Sequence, residues 1–401
     1  MNEPKLRFKA DDGSQFPDWE EKVFGDFVDT HLEKTSDKDT YPLYSLTIES
    51  GVQPKTDRYE REFLVKKEGD NYKIVPPNAF VYNPMNLRFG ALKVNHEKFS
   101  VSVSGYYDVF SLKDDSVLAF WENYLVTPKM LNYYFSIATG SLIEKLRVHY
   151  SQFVKIKKPL PSLPEQQKIA EFLSTIDTVI EKQKETVSAW EERKKGVMQK
   201  LFSQEVRFKA DDGSEFPEWE EKKLKNILKE YKEYSAKDGS YEHVSLTKEG
   251  VVPKSERYER DFLVKDVDKK YRITHLGDIC YNPANLKFGV ICRNKYGDGI
   301  FSPIYVTFQV CKDMLPEFVE MLVTRRDFIE YALKYQQGTV YERMSVSPDD
   351  LLSIKVMVPC MTEQQKIADC LVSLDEVIEK QKATLAAWEE LKKGLLQQMF
   401  V

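Results

Sequence analysis

Two stretches of this chain carry a stripe of mostly apolar residues at alternating spacings of four and three. In the first they are Ile169, Leu173, Ile176, Ile180, Gln183, Val187, Trp190, Lys194, Val197 and Leu201. In the second they are Ile367, Leu371, Leu374, Ile378, Gln381, Leu385, Trp388, Lys392, Leu395 and Met399. This is the a/d seam of a coiled coil, interrupted by polar residues at the same places in both copies. Pro164 and Pro359 are expected just ahead of the two helices, as the chemistry of helix initiation allows. A helix over 165–202 is a rod of about 57 Å at ~1.5 Å per residue. Each seam alone would need only its own neighbouring domain as partner. Matching narrow stripes over more than four heptads instead predict that the two rods pack on each other, with Gln183 and Gln381 fixing register. Antiparallel pairing would place the flanking globular parts at opposite ends.

Ahead of each rod the pattern changes to short runs rich in Val, Ile, Phe, Tyr and Ser, such as 101–112 and 300–310, punctuated by Pro, Gly and Asn. The chain also repeats itself. Arg7-Phe8-Lys9-Ala10-Asp11-Asp12-Gly13-Ser14 returns as Arg207-Phe208-Lys209-Ala210-Asp211-Asp212-Gly213-Ser214. Tyr82-Asn83-Pro84 returns as Tyr281-Asn282-Pro283, and Glu165-Gln166-Gln167-Lys168-Ile169-Ala170 as Glu363-Gln364-Gln365-Lys366-Ile367-Ala368. One unit of about 200 residues is therefore written twice. The predicted fold class is α+β: two tandem α/β domains, each followed by a long helix, with the helices pairing as an antiparallel coiled coil in a pseudo-twofold arrangement. The expected boundaries are 1–160, 161–204, 205–358 and 359–401.

Composition narrows the function. A net charge of −5 argues mildly against a protein that grips phosphates over its whole surface, so any nucleic-acid contact has to come from local patches or from partners. Met1 to Lys5 lead into charged sequence with no apolar segment of a secretory signal, and no run approaches a bilayer span, which points to a cytoplasmic protein without membrane contact. Cys280, Cys292, Cys311, Cys360 and Cys370 form no C-x-x-C pair, as expected of small buried thiols in a reducing compartment. No metal site is expected, because His31, His96, His149, His243 and His275 have neither metal spacing nor counterparts between copies. No phosphate-binding loop, zinc-protease or nucleophile-elbow motif is present. Tyr82-Asn83-Pro84-Met85 and Tyr281-Asn282-Pro283-Ala284 resemble the Asn-Pro-Pro-aromatic motif of adenine N6-methyltransferases, but the second proline and the aromatic residue are missing. No catalytic residue and no cofactor of its own are expected of this chain.

What the copies share is polar, aromatic and basic. Tyr82, Asn83, Asn86 and Arg88, with Phe89 and Gly90, correspond to Tyr281, Asn282, Asn285 and Lys287, with Phe288 and Gly289. Asparagine can pair with adenine, and arginine or lysine with guanine or phosphate. The alternative is a structural turn in which the asparagines serve the backbone and glycine takes positive φ. Gly140 with Lys145 and Arg147, and Gly338 with Arg343, lie in a less similar stretch where different bases could be read. Arg58 and Arg61, like Arg257 and Arg260, alternate with glutamates and fit a self-paired exposed surface better than a DNA contact.

The whole pattern resembles the specificity subunit of Type I restriction–modification systems. The most specific pieces are the two Glu-Gln-Gln-Lys-Ile-Ala helix starts, Gly277-Asp278-Ile279-Cys280-Tyr281-Asn282 and Gly299-Ile300-Phe301-Ser302-Pro303-Ile304-Tyr305. Copy one departs at the last of these, with Val101-Ser102-Val103-Ser104-Gly105-Tyr106-Tyr107. The resemblance implies two target-recognition domains, each reading one half of a bipartite double-stranded DNA site. It also implies a coiled coil that sets the spacer and docks two modification subunits, which bind S-adenosylmethionine and methylate adenine at N6. Restriction subunits would add translocation and cleavage. The rival reading is a coiled-coil protein-interaction scaffold without DNA binding.

Overall fold

The computed structural model describes residues 4–48, 51–55, 72–114, 117–142, 145–235, 239–254, 270–338 and 344–400. Arg58, Arg61, Arg257, Arg260 and Arg343 lie outside the described residues. The chain divides into two compact units, one formed by 1–187 with 380–401 and the other by 188–379. Each unit holds one globular domain and a part of both long helices.

In the first unit a four-stranded antiparallel sheet runs in the order Val28–Thr30, Asp108–Leu112, Phe80–Tyr82, Leu92–Val94. Its central strands place Phe80 opposite Phe110, and the two rings stack with centroids 5.0 Å apart. Around them the core gathers Phe24, Trp121, Tyr124 and Phe153 in edge-on and tilted contacts. Such aromatic clusters gain both buried area and favourable ring geometry. A second, three-stranded sheet joins Lys34–Thr35, Tyr72–Val75 and Val101–Val103, and a hairpin of Tyr44–Thr47 and Gly51–Pro54 lies beside it. A two-stranded ribbon, Glu20–Val23 with Lys157–Leu160, leads into the first long helix.

The second unit repeats the four-stranded sheet with Leu228–Glu230, Val306–Val310, Ile279–Tyr281 and Ile291–Arg293, and the ribbon with Glu220–Lys223 and Lys355–Val358. Its other sheet is larger. Five strands join because Glu242–Leu246 pairs in parallel with Gly299–Phe301. In the first unit the matching link shrinks to a single bridge between Leu43 and Ser102. The departure seen in the sequence at 101–107 therefore falls where the sheets differ. The ion pairs beside these sheets differ too: Lys73 meets Asp108 at 3.0 Å in one copy, and Arg272 meets Glu230 at 3.3 Å in the other.

The long helices span Leu163–Phe202 and Met361–Met399. Pro164 lies inside the first turn rather than ahead of it. The predicted seam positions Ile169, Leu173, Ile176, Ile180, Gln183, Val187, Trp190, Ile367, Leu371, Leu374, Ile378, Gln381, Leu385 and Trp388 are all buried or half-buried. The helices pair as an antiparallel coiled coil. In the first unit the Gln183 amide donates to the Gln381 side-chain oxygen at 2.8 Å and to its carbonyl at 3.0 Å, and Lys392 meets Asp177 at 2.6 Å. In the second unit the equivalent Lys194 meets Asp375 at 2.5 Å. Ile169 and Leu173 share the first core with Met399, and Ile367 and Leu371 share the second with Leu201. The opening turns of each seam thus serve the helix pair and the adjoining domain at once, so the two packing modes set against each other from the sequence coexist.

The repeated helix-start motif has a plain structural role. Glu165 is fully buried, accepts two bonds from the Arg7 guanidinium at 3.0 and 2.8 Å, and one from the Trp19 indole at 3.2 Å. Glu363 takes the same three bonds from Arg207 and Trp219. Gln166 and Gln364 donate to the carbonyls of Pro161 and Pro359, and Lys168 and Lys366 reach Asp11 and Asp211. The repeated Arg-Phe-Lys-Ala-Asp-Asp-Gly segment is therefore a strap that fastens each domain to the start of its own helix. The strap in turn leaves a helix end: Val206 donates to the Lys200 carbonyl in the second unit, and Leu6 to the Gln398 carbonyl in the first.

The clamp and the chain's last turn yield two expectations. Replacing Glu165 by alanine strands a half-buried guanidinium beside an empty buried site, and should cost about 3 kcal/mol or more. Urea unfolding of the full chain would show the first unit losing stability, whereas an unchanged curve would remove the clamp's assigned role. Phe400 is 1% exposed and packs against Phe120 and Tyr124 with centroids 5.8 and 5.4 Å apart. Phe400→Ala should destabilise the first unit by about 3 kcal/mol, read in the same unfolding experiment, although the residue lies 240 positions beyond Leu160, where that unit's last strand ends.

Candidate nucleic-acid interface

The two groups of residues singled out in the first copy are brought together. The strand Phe80–Tyr82 runs into a turn at Asn83-Pro84-Met85-Asn86, a short 3-10 helix over Leu87–Phe89, and Gly90. The hairpin containing Gly140, Lys145 and Arg147 closes with mutual backbone bonds between Thr139 and Arg147. It docks on the turn through Val148, whose amide donates to the Pro84 carbonyl at 2.9 Å. In the second copy Val346 donates to the Pro283 carbonyl at 3.2 Å, and the hairpin closes between Gln337 and Ser345. Residues about 60 positions apart in sequence form one composite edge in each domain.

Within that edge the residue roles separate. Tyr82 and Tyr281 are wholly buried, and their hydroxyls donate to the carbonyls of Val148 and Val346 at 3.5 and 3.1 Å. Burial pushes both hydroxyls well above the usual tyrosine range. The expectation that these tyrosines touch DNA is therefore corrected: they are core residues that anchor the hairpin. Asn83 and Asn282 are committed as well. Their side-chain oxygens accept from the backbone amides of Met85 at 3.0 Å and Ala284 at 3.1 Å, which is the turn-forming role asparagine performs two residues ahead. Both side-chain oxygens serve the backbone of the turn.

Asn86 and Asn285 differ from them. Both are exposed, precede the 3-10 helix with φ −107°, and make no side-chain hydrogen bond among the described residues. Gly90 and Gly289 end the turn at φ 89° and 78°, a left-handed conformation in which a side chain would be strained. Phe89 and Phe288, just before those glycines, are each 54% exposed. The guanidinium of Arg88 lies 4.7 Å from the Phe89 ring centre and 5.6 Å from that of Phe135, and the Lys287 ammonium lies 5.2 Å from Phe288. Cation–aromatic contact of this kind holds a flexible side chain in place. Lys145 is exposed and Arg147 half-buried, so the first copy's edge carries three cations.

Glu165 and Glu363, fully buried carboxylates that each accept three side-chain bonds, had no role assigned from the sequence beyond membership of a repeated motif. Asp177 and Asp375 were also missed, because an a/d stripe says nothing of the flanking positions that pair with Lys392 and Lys194. Among the described residues no group of three or more His, Cys, Asp or Glu could hold a metal ion. Cys280 and Cys292 face each other across adjacent strands, and burial pushes the Cys292 thiol up to about 12, where it is inert at neutral pH. No described helix is long and apolar enough to cross a membrane.

The fold defines a class: two α/β domains, each followed by a long helix, with the two helices paired antiparallel. Residues 18–188 match the family model of the Type I restriction modification DNA specificity domain. The chain is 28% identical over 275 residues to the type I restriction enzyme MjaVIII specificity subunit of Methanocaldococcus jannaschii, covering 61% of this chain and 61% of the relative. It spans about three fifths of the length of the curated relatives it matches. The fold is that of the Type I restriction–modification S subunit from M. genitalium, with a TM-score of 0.52 at 14% identity over 100% of this chain and 99% of the other. A chain solved in work on complex assembly and conformational transition of the type I R-M system gives a TM-score of 0.54 at 12% identity, covering 96% and 98%. Residues 18–188 thus match a Type I restriction–modification DNA specificity domain, and the chain is similar to specificity subunits of such systems over about three fifths of its length.

Gly140 offers a local test of the composite edge. A Cβ added there would stand 2.7 Å from the Lys145 carbonyl oxygen and 3.1 Å from the Leu146 Cα, both backbone atoms. Gly140→Ala should open the hairpin and lower the melting temperature of the first unit by a few degrees, corresponding to about 1–2 kcal/mol. Calorimetry would read this directly, and a variant melting like the parent would show the hairpin to be loosely held.

Proposed function

We propose that this chain is the sequence-specific DNA recognition subunit of a Type I restriction–modification complex. Each globular domain reads one half of a bipartite double-stranded target, and the helix pair sets the spacer and docks two modification subunits. Those subunits bind S-adenosylmethionine and transfer its methyl group to adenine N6, and restriction subunits complete the assembly in the cytoplasm. The chain itself is non-catalytic and specifies where its partners act. One observation carries this reading: both copies present the same exposed Asn86/Asn285 and Phe89/Phe288 edge beside a cation held over the ring, in a chain whose residues 18–188 match the DNA specificity domain of such systems. An asparagine amide can make a two-point contact to adenine, and arginine or lysine supplies contacts to guanine or phosphate.

The net charge of −5 fits a division of labour. Phosphate contacts dominate affinity and need a basic surface, so a chain this acidic supports local base contacts while the modification subunits contribute much of the backbone grip. Binding of the chain with its modification subunits to target DNA should weaken steeply as salt rises from 50 to 200 mM, by about a thousandfold for six phosphate contacts. Adenine-methylation mapping in cells with and without this chain, each carrying the modification subunit, gives the decisive comparison. A bipartite motif present only with the chain is the expected result. A methylome indifferent to the chain, together with salt-insensitive association, would leave a protein-interaction scaffold as the better account.

A further inference from the structure

Exposed large apolar side chains on the two domains mostly do not match. Leu32, 72% exposed, has Lys232 at the same point of the repeat, and exposed Phe135 has the half-buried Leu333. Among the described residues four corresponding pairs are exposed in both copies, and of these Leu6/Val206, Tyr106/Ile304 and Leu163/Met361 differ in residue type, whereas Phe89 and Phe288 are identical, each 54% exposed at the same step of the same turn. Over 82–90 and 281–289, seven of nine residues are identical, so the question is which identities packing explains. It explains Tyr82/Tyr281 and Leu87/Leu286, which are in the cores, and Asn83/Asn282 and Gly90/Gly289, which build the turn. It does not explain Asn86/Asn285 or Phe89/Phe288, because neither pair is buried and neither asparagine side chain bonds to the described protein. An exposed phenylalanine retained twice, three residues after an uncommitted amide retained twice, calls for an external partner that meets both domains in the same way.

Resting on the recognition reading above, we propose that Asn86 with Phe89, and Asn285 with Phe288, contact the same adenine-containing base step in the two half-sites, so that the halves of the target share bases. The asparagine amide donates to adenine N7 and accepts from its N6 amino group, and the phenylalanine ring makes apolar contact with a neighbouring thymine methyl. Arg88 and Lys287, lying over those rings, add a cation to each contact. Bases that differ between the halves are read where the domains differ, as at Arg147 in the first hairpin and Ser345 in the second.

The test is adenine-methylation mapping in cells producing the full chain with its modification subunits, comparing wild type, Asn86→Ala and Asn285→Ala. The wild type should give a bipartite motif whose halves contain a common adenine-containing step. Asn86→Ala should relax that position in one half by about tenfold or more, and Asn285→Ala should relax it in the other half alone. Both side chains are exposed, so neither change should disturb folding. Halves without a common step, or variants that keep the full wild-type motif, overturn the assignment. Loss of co-purifying modification subunits with the residual motif unchanged also overturns it, by making the edge a protein-docking surface. A methylome indifferent to the chain overturns the recognition reading and this assignment with it.

Discussion

Each domain depends on one buried carboxylate. Glu165 and Glu363 sit in the first turn of the long helices, and each receives a two-point contact from the arginine of the strap and a third bond from the tryptophan that follows the strap. A charge taken this far out of water is tolerable only when its lone pairs are satisfied, and removing one partner leaves the other stranded. The contact is therefore exacting as well as strong. It fixes the rotation of the helix about its axis relative to the ribbon and sheet of its own domain, because a bidentate pair with a planar guanidinium tolerates little angular error. Once that rotation is set, Ile169 and Leu173, or Ile367 and Leu371, point both into the domain core and along the seam. The clamp thus joins two packing problems into one.

The same economy is visible in the helix pair. Hydrophobic seams alone leave register poorly determined, since apolar side chains pack acceptably after a shift of one heptad. Here the side chains of Gln183 and Gln381 meet each other, while Asp177 with Lys392 and Asp375 with Lys194 make equivalent ion pairs in the two units. Half-exposed ion pairs of this kind add little stability individually. Their value is that a shifted register would break both pairs and leave the paired glutamine amides facing apolar neighbours.

Much of this was legible in the sequence, and what was not had physical reasons. The seams could be read because a coiled coil imposes its period on every turn. The repeat was unmistakable because Arg7, Trp19 and the Glu-Gln-Gln-Lys-Ile-Ala motif answer to the same clamp in each copy. The clamp itself stayed hidden, since nothing in a linear pattern says that Arg7 and Glu165 meet across 158 positions. Tyr82 and Tyr281 were misread as surface residues for a related reason. Their strands are covered on both faces, so all three residues of Phe80–Tyr82 are buried and no alternation marks a solvent side.

The two asparagines of the turn show how a motif can look functional and structural at once. Asn83 and Asn86 are the same residue type three positions apart, and sequence alone gives no ground for separating them. The backbone does. At Asn83 the chain reverses and an amide two residues on needs an acceptor, which the side chain provides. At Asn86 the backbone amide bonds to the Asn83 carbonyl and the following helix is too short to demand a capping side chain, so the amide remains available. The arrangement recurs at Asn282 and Asn285. A turn that uses one asparagine to fix its shape holds the next in a defined place at no further cost in side-chain ordering of its neighbours. Pre-organisation of this kind lowers the entropy lost on binding, and it makes the second asparagine, not the first, the position where substitution should alter recognition without altering the fold.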